Sequence, residues 1–468
     1  MIPETASTLE PTSVGAGRWA VPGNRWDLLD GIDSRSEPPE ISVVIPYFEN
    51  QHDLDLLLTA LRGQTHPTSR LQVVIADDGS VEPPRTDALG AAVEVSVVRQ
   101  ADRGFRAAAA RNLGFHRAEG SVVLFLDGDT VPEPEYAARL ARLPDLIPDA
   151  VVSGRRRYAD LSAVTPAGLA KWLGSGPNPP DEWAEPTWLS NHYQRTGNLL
   201  SVDPRSYKYL IGAVLGCSAE MFGELGGFDD SIVGYGGEDY DFTYRAFTAG
   251  GVLAHVPSAV AWHDGRDWAG RTAPQERTPR KNREVMMLAE RIPEPSMRGT
   301  GQLYGIPDGV VTIDASNWSL GAGVLCLRSL LTVLDCRVCV VGRDQTSRRL
   351  RRAFDQDPRV SDRGPESDRF RRERWYLDVS RPVVATSIFA DHLAAQWEAD
   401  VGSLAVCAGG DLIVAAESAR YHWRSQRHRS LPAALRDQWF ARCRYDLDEC
   451  GLRLIADEPA LDAEFGGY

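Results

Sequence analysis

Lysine is nearly missing from this chain of 468 residues, where only three of the 51 basic residues, Lys171, Lys208 and Lys281, are lysines. Acidic residues number 65, and the net charge is −14. Because contacts to a phosphate backbone need a basic surface, we expect no nucleic-acid partner. The arginine excess would suit bidentate phosphate contacts, but we attribute it to a general arginine bias.

Long apolar runs are missing as well. No stretch of about eighteen apolar residues occurs, so we expect no transmembrane helix and no stable membrane insertion. The opening residues, MIPETASTLEPTSVGAG, have neither a basic start nor an apolar core, so we expect no signal peptide. The seven cysteines are odd in number and lie mostly in apolar runs. Cys336 and Cys339 have CxxC spacing, but they fall on a predicted strand, and we expect reduced thiols and a cytoplasmic protein.

Composition changes along the chain predict two α/β domains, in keeping with its length. Residues 1–40 are rich in Pro, Gly and Ser and form an irregular leader. Residues 41–290 form the first domain, in which a long loop-rich excursion carries Trp172, Trp183, Trp188 and Tyr193. These aromatic residues either anchor the loop or stack on a ligand. Residues 291–309 form a linker, and residues 310–468 form the second domain.

The first domain alternates short apolar runs with helix-like segments. The runs ISVVIPYF, LQVVIADDGS, VEVSVVRQ and SVVLFLDGDT each end in polar residues. This alternation predicts a doubly wound, mostly parallel sheet with helices on both faces. Ligands bind such sheets outside the carboxyl ends of the strands. Because Asp77, Asp78, Asp127 and Asp129 fall at such ends, we expect these acids to share one crevice.

Two acidic motifs and one histidine are candidate functional residues. In LFLDGDT, a glycine between two aspartates lets both reach one ion, and hard oxygen ligands suit Mg²⁺ or Mn²⁺; a polar turn that caps a buried strand is the alternative. In GYGGEDYDF, one acid would cap a helix, but three acids in four residues exceed that need. The glycines suggest that the backbone closely approaches a ligand. His263 follows an apolar run and is either structural or a metal ligand.

Five stretches occur in a characteristic order: ISVVIPYFEN, QVVIADDGS, DRGFRAAAARNLG, VVLFLDGDT and LGGFDDSIVGYGGEDYDFTYRAFTAG. Together they resemble a family 2 glycosyltransferase of the GT-A fold. Their acidic motif is similar to those of chondroitin-polymerase and galactosyltransferase catalytic domains. The resemblance covers residues 40–270. It implies an inverting transferase that depends on Mn²⁺ or Mg²⁺. Such an enzyme would move a sugar from a nucleotide-diphosphate donor to a hydroxyl of an unidentified glycan or natural product. Among the possible donors, a UDP-sugar is favoured.

The resemblance also implies roles for single residues. Asp239 would be the general base, and Glu238 would orient the acceptor. Asp129 and His263 would hold the metal ion. Glu49 and Asn50 stand where the family often has a single Asn, which leaves the nucleotide base open. The residues expected to bind the nucleotide-sugar are Pro46, Tyr47, Glu49, Asp78, Arg111, Asn112, Asp127 and Gly237.

The second domain contains GVLCLRSLLTVLDCRVCVVGRD, which is similar to the passage that leads to Asp78. We interpret residues 310–468 as a degenerate, non-catalytic GT-A-like copy in which Asp378 matches Asp127. An unrelated α/β module for acceptor binding or dimerisation is the alternative, and a homodimer stays open. For the whole chain, one alternative is a nucleotidyltransferase. Such enzymes usually carry a glycine- and lysine-rich loop after the first strand, and the segment PYFENQHD contains neither residue. The other alternative is a non-catalytic protein that binds nucleotide-sugars or carbohydrates.

Overall fold

The computed structural model describes residues 10–32, 37–175, 182–271, 273–299, 301–362 and 372–466. Within these residues we find no helix with the length and apolar character needed to cross a bilayer. The seven cysteines are free thiols, and all except Cys443 are buried. The chain divides into two compact units, of which the first comprises Glu10–Phe247 and Gly251–Val285, and the second contains Met286–Tyr468 and Thr248–Gly250.

From residue 41 onward the first unit alternates strands and helices, as the sequence predicts, whereas two short strands occur in residues 12–20, within the stretch predicted to be an irregular leader. Its strands are β1 (Thr12–Gly15), β2 (Arg18–Ala20), β3 (Ile41–Tyr47), β4 (Leu71–Asp77), β5 (Glu94–Arg99), β6 (Val122–Leu126), β7 (Thr130–Pro132), β8 (Ala150–Ala159), β9 (Glu182–Trp183), β10 (Val214–Ser218) and β11 (Val252–Asp264). The helices that begin in this unit are α1 (Gln51–Arg62), α2 (Ala107–Phe115), α3 (Tyr136–Leu146), α4 (Pro166–Ser175), α5 (Thr187–Thr196), α6 (Ala219–Glu224), α7 (Glu238–Thr248), α8 (Trp268–Arg271) and α9 (Pro274–Ala289).

A mixed sheet forms the centre of the first unit. Among the described residues it has nine strands in the order β5-β4-β3-β6-β10-β8-β11-β7, with β9 paired to β8. Strands β5, β4, β3 and β6 are parallel. Strand β10 runs antiparallel to both β6 and β8, whereas β8 and β11 are parallel. The α/β class is therefore confirmed, and the antiparallel insertion of β10 is the feature that the apolar runs do not predict.

The parallel strands form where apolar residues are continuous. All five residues of β6 are buried, which fits a strand covered on both faces. Asn50 caps the start of helix α1, because its Oδ1 accepts a hydrogen bond from the N–H of Asp53 (3.3 Å). Helix α2 lies close to β3, because a Cβ added at Gly114 would lie 2.4 Å from Cγ1 of Val44. These contacts position the ends of β3, β4 and β6 and the start of α2 around one crevice.

The second unit is also an α/β structure. Its strands are β12 (Gly309–Ile313), β13 (Cys336–Val340), β14 (Val360–Ser361), β15 (Trp375–Val379), β16 (Val383–Ala385), β17 (Val401–Ala408), β18 (Asp411–Ser418), β19 (Ala441–Asp446) and β20 (Leu452–Leu454). Its helices are α10 (Pro295–Arg298), α11 (Leu320–Val333), α12 (Gln345–Ala353), α13 (Ser387–Glu398), α14 (Ala419–Arg427), α15 (Ala433–Arg436) and α16 (Leu461–Glu464).

The two units share one strand order. In the described residues the second sheet has the order β14-β13-β12-β15-β18-β17-β19. We number the strands along the chain from β3 in the first sheet and from β12 in the second, leaving out β7, β9 and β16. Both sheets then have the strand order 3-2-1-4-6-5-7. The directions agree as well, because β18 is antiparallel to β15 and β17, and β19 is parallel to β17. This agreement supports the interpretation of the second unit as a GT-A-like copy.

The strand register corrects one residue match. Ser218 pairs with Val122 in the first sheet, and Ser418 pairs with Trp375 in the second. Counting from these pairs, position 127 corresponds to position 380 and position 129 to position 382. The prediction that Asp378 matches Asp127 is therefore wrong by two residues, because it followed similarity of letters and not the pairing of strands. Ser and Pro replace the two aspartates in the second unit.

Candidate active site

One large cavity opens at the carboxyl ends of β3, β4 and β6 in the first unit. Its volume is about 970 Å³. It receives side chains from the ends of parallel strands, as expected for this class of sheet. Ten of the residues expected from the sequence line it: Pro46, Tyr47, Asp78, Arg111, Asp127, Asp129, Gly237, Glu238, Asp239 and His263.

Asp129 and His263 form a carboxylate–imidazole pair in this cavity. Oδ2 of Asp129 lies 3.3 Å from Nε2 of His263. Strand pairing fixes this contact, because His263 is opposite Thr130 across β7 and β11. The N–H of Asp264 also donates to the main-chain oxygen of Asp129 (2.9 Å). In the described residues no group of three or more His, Cys, Asp or Glu side chains could hold a metal ion.

The donor chemistry of this pair fits a divalent ion that takes further ligands from a substrate. A carboxylate oxygen suits Mg²⁺ and Mn²⁺ alike, whereas an imidazole nitrogen favours a transition-metal ion. Asp129 and His263 would supply two ligands, and phosphate oxygens and water would complete the coordination. Asp127 points elsewhere, since its Oδ1 accepts a hydrogen bond from Arg111.

Arg111 connects two acids in the cavity. Its Nη1 donates to Oε1 of Glu238 (2.9 Å), and its Nη2 donates to Oδ1 of Asp127 (2.7 Å). The arginine side chain is only 3% exposed. Arg111 belongs to helix α2, Glu238 to the first turn of α7, and Asp127 follows strand β6. The guanidinium therefore joins three separate segments of the first unit.

Asp239 lies next to this ion pair and has a different environment. Gly236 and Gly237 precede helix α7 with φ angles of +92° and +96°, a conformation that side chains disfavour. The carboxylate of Asp239 accepts hydrogen bonds from the N–H groups of Gly212 (3.3 Å) and Tyr240 (2.8 Å). Burial, and then the charge of Glu238, raise the pKa of Asp239 to about 7. This carboxyl group can therefore exchange a proton near neutral pH.

Asp78 and its partners form another wall of the cavity. Oδ1 of Asp78 accepts a hydrogen bond from Nε2 of Gln100 (2.6 Å), and Oδ2 accepts one from the N–H of Arg106 (3.0 Å). A salt bridge to the Arg106 guanidinium (3.3 Å) adds a charge contact. The carboxylate is thereby fixed in orientation where it can still accept a hydrogen bond from a ligand through its remaining lone pairs.

Two expected nucleotide-binding residues lie outside the described cavity lining. Oε1 of Glu49 accepts a hydrogen bond from the N–H of Val81 (2.7 Å), and Glu49 has a φ of +56°. Asn112 donates to the main-chain oxygen of Phe228 (2.8 Å) and accepts from its N–H (2.9 Å). Both side chains hold loops of the first unit, and Asn50 lines the cavity next to Glu49.

Arg156 and Lys281 line the cavity and were missed by the sequence analysis. Arg156 belongs to the run GRRRY on β8, where alternate side chains point to opposite faces. Its neighbours Arg155 and Arg157 form ion pairs with Glu185 and Glu182, whereas Nε of Arg156 donates to the Tyr158 hydroxyl (2.9 Å). The period of two along this strand could have separated Arg156 from its neighbours.

The tryptophans of the excursion have different positions. Trp172 packs against Trp262, with ring centroids 5.6 Å apart, and contributes to a buried apolar cluster. Trp188 lines the cavity and is 49% exposed. It lies 5.6 Å from the ring of Tyr209, which in turn stacks on His192 at 3.3 Å. One tryptophan thus anchors the excursion, and another faces the cavity.

Family models match this unit of the chain. Residues 42–198 match the model described as glycosyl transferase family 2, and residues 200–262 match the model described as N-terminal domain of galactosyltransferase. These ranges contain the parallel strands, Asp127, Asp129 and the paired acids of α7. We therefore assign this region of the chain to the family 2 glycosyltransferases, with the GT-A fold expected from the sequence.

Curated relatives match this chain over longer ranges. Chondroitin synthase of Escherichia coli is 26% identical over 378 residues, which cover 75% of this chain and 54% of that protein. Validoxylamine A glucosyltransferase of Streptomyces hygroscopicus subsp. limoneus is 29% identical over 268 residues, which cover 54% of this chain and 56% of that protein. The chain thus spans about half the length of these relatives.

A solved structure is also similar. The mannosyltransferase PcManGT from Pyrobaculum calidifontis, in complex with GDP-Man and Mn²⁺, has a TM-score of 0.36 and 17% sequence identity to this chain. The similarity covers 57% of this chain and 67% of that chain.

Proposed function

We propose that this chain is a metal-dependent glycosyltransferase that moves a sugar from a nucleoside-diphosphate donor to an acceptor hydroxyl with inversion at the anomeric carbon. The observation that carries the proposal is one cavity that holds both the Asp129–His263 pair and the half-buried side chain of Asp239, whose pKa is raised. The first feature suits a donor diphosphate, and the second suits removal of a proton.

Residues at the ends of β3 and β4 would bind the nucleotide. Pro46 and Tyr47 line the cavity beside Asp78, whose orientation is fixed by Gln100 and Arg106. A carboxylate accepts hydrogen bonds from the N–H group of a pyrimidine or guanine base. A UDP-sugar is the donor we favour. Asp129 and His263 would hold Mn²⁺ or Mg²⁺, and such an ion would supply positive charge to offset the charge that develops on the departing diphosphate.

Asp239 would act as general base. It would take the proton of the acceptor hydroxyl while the hydroxyl oxygen bonds to the anomeric carbon and the bond from that carbon to the diphosphate breaks. Attack on the side opposite the leaving group inverts this carbon. Glu238 would orient the acceptor through Oε2, which has no hydrogen-bond partner among the described residues. An acceptor hydroxyl would satisfy this buried oxygen.

The test is thermal melting of the full chain with UDP, GDP, dTDP or ADP, or with their common sugar conjugates, in the presence of Mn²⁺ or EDTA. A ligand at about 100 times its dissociation constant adds roughly 2.7 kcal/mol to the free energy of unfolding. We expect one nucleotide to raise the melting temperature in Mn²⁺ only. We also expect the matching nucleotide-sugar to be consumed, with release of the nucleoside diphosphate.

Variants make this test specific to the cavity. Asp129→Asn removes a charged metal ligand without changing side-chain size, and we expect it to abolish the Mn²⁺-dependent shift. Asp160→Asn is the matched control, because Asp160 bonds to Ser162 outside the cavity lining. The proposal is wrong if no nucleotide shifts the melting temperature of the wild-type protein, or if melting shifts occur without any consumption of a nucleotide-sugar.

A further inference from the structure

Arg111 has contacts that a nucleotide-binding role does not explain. Its guanidinium points to Glu238 and Asp127 and is almost fully buried. The resemblance to the family implies that this residue faces the nucleotide-sugar, yet both terminal nitrogens already donate to acids of the protein. The arginine therefore acts on the arrangement of the acids.

We propose that Arg111 is a positioning residue that pairs with Glu238 and thereby makes Asp239 the acid that accepts the proton of the acceptor. This inference rests on the proposed function, since it concerns the division of roles between the two adjacent acids. The division follows from their partners. Glu238 has a charged partner at 2.9 Å, whereas the hydrogen bonds recorded for Asp239 in the described residues come from main-chain N–H groups.

The geometry places Arg111 close enough to influence Asp239. A Cβ added at Gly212 would lie 3.2 Å from Cβ of Asp239 and 3.6 Å from both Nη1 and Nη2 of Arg111. The guanidinium and the carboxyl-bearing side chain thus surround the same small space. An opposite charge within about 4–6 Å favours the ionised form of a carboxyl group. Arg111 therefore opposes the effect of burial on Asp239.

Several other titratable groups line the same cavity as Asp239. Glu238 precedes it on α7, Tyr240 follows it, and Asp127 lies beyond Arg111. Helix α9 contributes Lys281 and Glu284 to the cavity wall, where Nζ of Lys281 lies 2.7 Å from Oε1 of Glu284. Because these two charges pair with each other, they offset one another at Asp239. Arg111 and Glu238 remain as the charges that raise or lower the pKa of Asp239 most directly.

Two variants should move the pH profile in opposite directions. Arg111→Lys keeps a charge but cannot span both acids, so we expect the midpoint of kcat/KM against pH to move up by about 1 unit and turnover to fall by up to about 10²-fold. Glu238→Gln removes the like charge, so we expect the midpoint to move down. Arg245→Lys is the matched control, because Arg245 is a buried arginine on α7 that pairs with Asp241 outside the cavity lining; we expect an unchanged midpoint.

The assay is release of nucleoside diphosphate from the donor identified by thermal melting, with water as acceptor. A wild-type protein that releases none contradicts the proposed function. If the wild-type protein is active but the midpoint of kcat/KM against pH does not move up in Arg111→Lys, the role of Arg111 is overturned and the proposed function stands. The same holds if the midpoint moves in the same direction in Arg111→Lys and Glu238→Gln. If Arg111→Lys does not fold, the double variant Arg111→Gln/Glu238→Gln is compared with Glu238→Gln, and a midpoint that is not higher in the double variant overturns the role of Arg111.

A second readout needs no substrate. Asp239→Asn is compared with its parent by thermal melting across pH in the wild-type and Arg111→Lys backgrounds. The quantity compared is the melting temperature of Asp239→Asn minus that of its parent. We expect this difference to stop growing near pH 7 in the wild-type background and to keep growing to higher pH in the Arg111→Lys background. Identical curves in the two backgrounds would mean that Arg111 has no influence on the protonation of Asp239.

Discussion

At the scale of single residues, Asp239 is neither packed like a core residue nor exposed like a surface acid. It is half-buried beside Glu238, and its carboxylate accepts hydrogen bonds from two main-chain N–H groups. General-base catalysis typically contributes about 10²–10⁴-fold to a rate. We therefore expect Asp239→Asn to lower kcat by that factor while the nucleoside diphosphate still raises the melting temperature. Normal turnover in the variant would assign the base to another residue.

The same burial predicts how stability depends on pH. The pKa of Asp239 is raised in the folded protein to about 7, above the value of about 4 in an unfolded chain. The stabilisation from the protonated form is thus fully present below pH 4 and lost as the pH rises to 7. We expect Asp239→Asn to melt above the wild-type protein at pH 8. The gap should close toward pH 4, as measured by thermal scans, and a constant gap would contradict the raised pKa.

The wild-type pH–rate profile follows from the same group. A general base must be deprotonated to accept the acceptor proton, so kcat/KM should rise with pH through about 7 and then level off. The measurement is donor turnover in buffers of matched ionic strength, since salt screens charge interactions. A rate that falls as the pH rises from 6 to 8 would exclude a base with the environment of Asp239.

Sequence reasoning located the acids but not their partners. Asp78, Asp127 and Asp129 share the cavity that their places at strand ends predict, whereas the prediction was wrong for Asp77, which is buried outside the lining and accepts a hydrogen bond from the N–H of Ser80. The bridge from Arg111 could not be predicted, since residues 111 and 238 meet only through the packing of α2 against the start of α7. Glu49 and Asn112 carry polar side chains at the expected places, yet each bonds to a neighbouring loop.

At the scale of elements, the packing of α2 against β3 positions Arg111. Gly114, one turn after Arg111, allows this close approach. A Cβ there would lie 2.4 Å from Cγ1 of Val44 and 3.4 Å from Cβ of Ala76. We expect Gly114→Ala to lower the free energy of unfolding by about 1–3 kcal/mol. Because the helix must move outward, kcat/KM should fall as well.

Gly223, in helix α6, is the matched control for Gly114 in helix α2. A Cβ added there meets nothing within 4 Å. Gly223→Ala should therefore raise the free energy of unfolding by roughly 0.5–1 kcal/mol, as alanine does at a helical position. Denaturant unfolding of both variants measures the difference, and donor turnover measures the displacement of Arg111. Equal stability changes in the two variants would show that α2 does not depend on the close contact.

Element order was more predictable than strand direction. Apolar runs bounded by polar residues indicate strands, and β3, β4 and β6 follow such runs closely. The antiparallel course of β10 depends on the long excursion between it and β8, and residue periodicity does not report which way a strand enters a sheet. The match of Asp378 to Asp127 failed for a related reason, since register is set by pairing partners far away in the sequence.

At the scale of the whole molecule, two units with one strand order differ in their chemistry. Positions 127 and 129 carry aspartates in the first unit, and the corresponding positions in the second carry Ser380 and Pro382. Leu71 pairs with Ile41, the first residue of β3, and Cys336 pairs with Gly309, the first residue of β12. Counted from Leu71 and Cys336, Asp78 corresponds to Arg343. The second unit thus lacks the aspartate that we propose as a metal ligand, and it places a cation where the first unit has the acid that we propose for binding the nucleotide base.

These differences predict one nucleotide per chain. Calorimetric titration of the nucleoside diphosphate that stabilises the protein, in saturating Mn²⁺, should give a stoichiometry of one. Asp129→Asn should abolish the Mn²⁺-dependent part of binding, because it removes a charged ligand from the Asp129–His263 pair. Ser380→Ala changes the corresponding position of the second unit and should leave the titration unchanged. A stoichiometry of two, with one site insensitive to Asp129→Asn, would show that the second unit binds nucleotides by other residues.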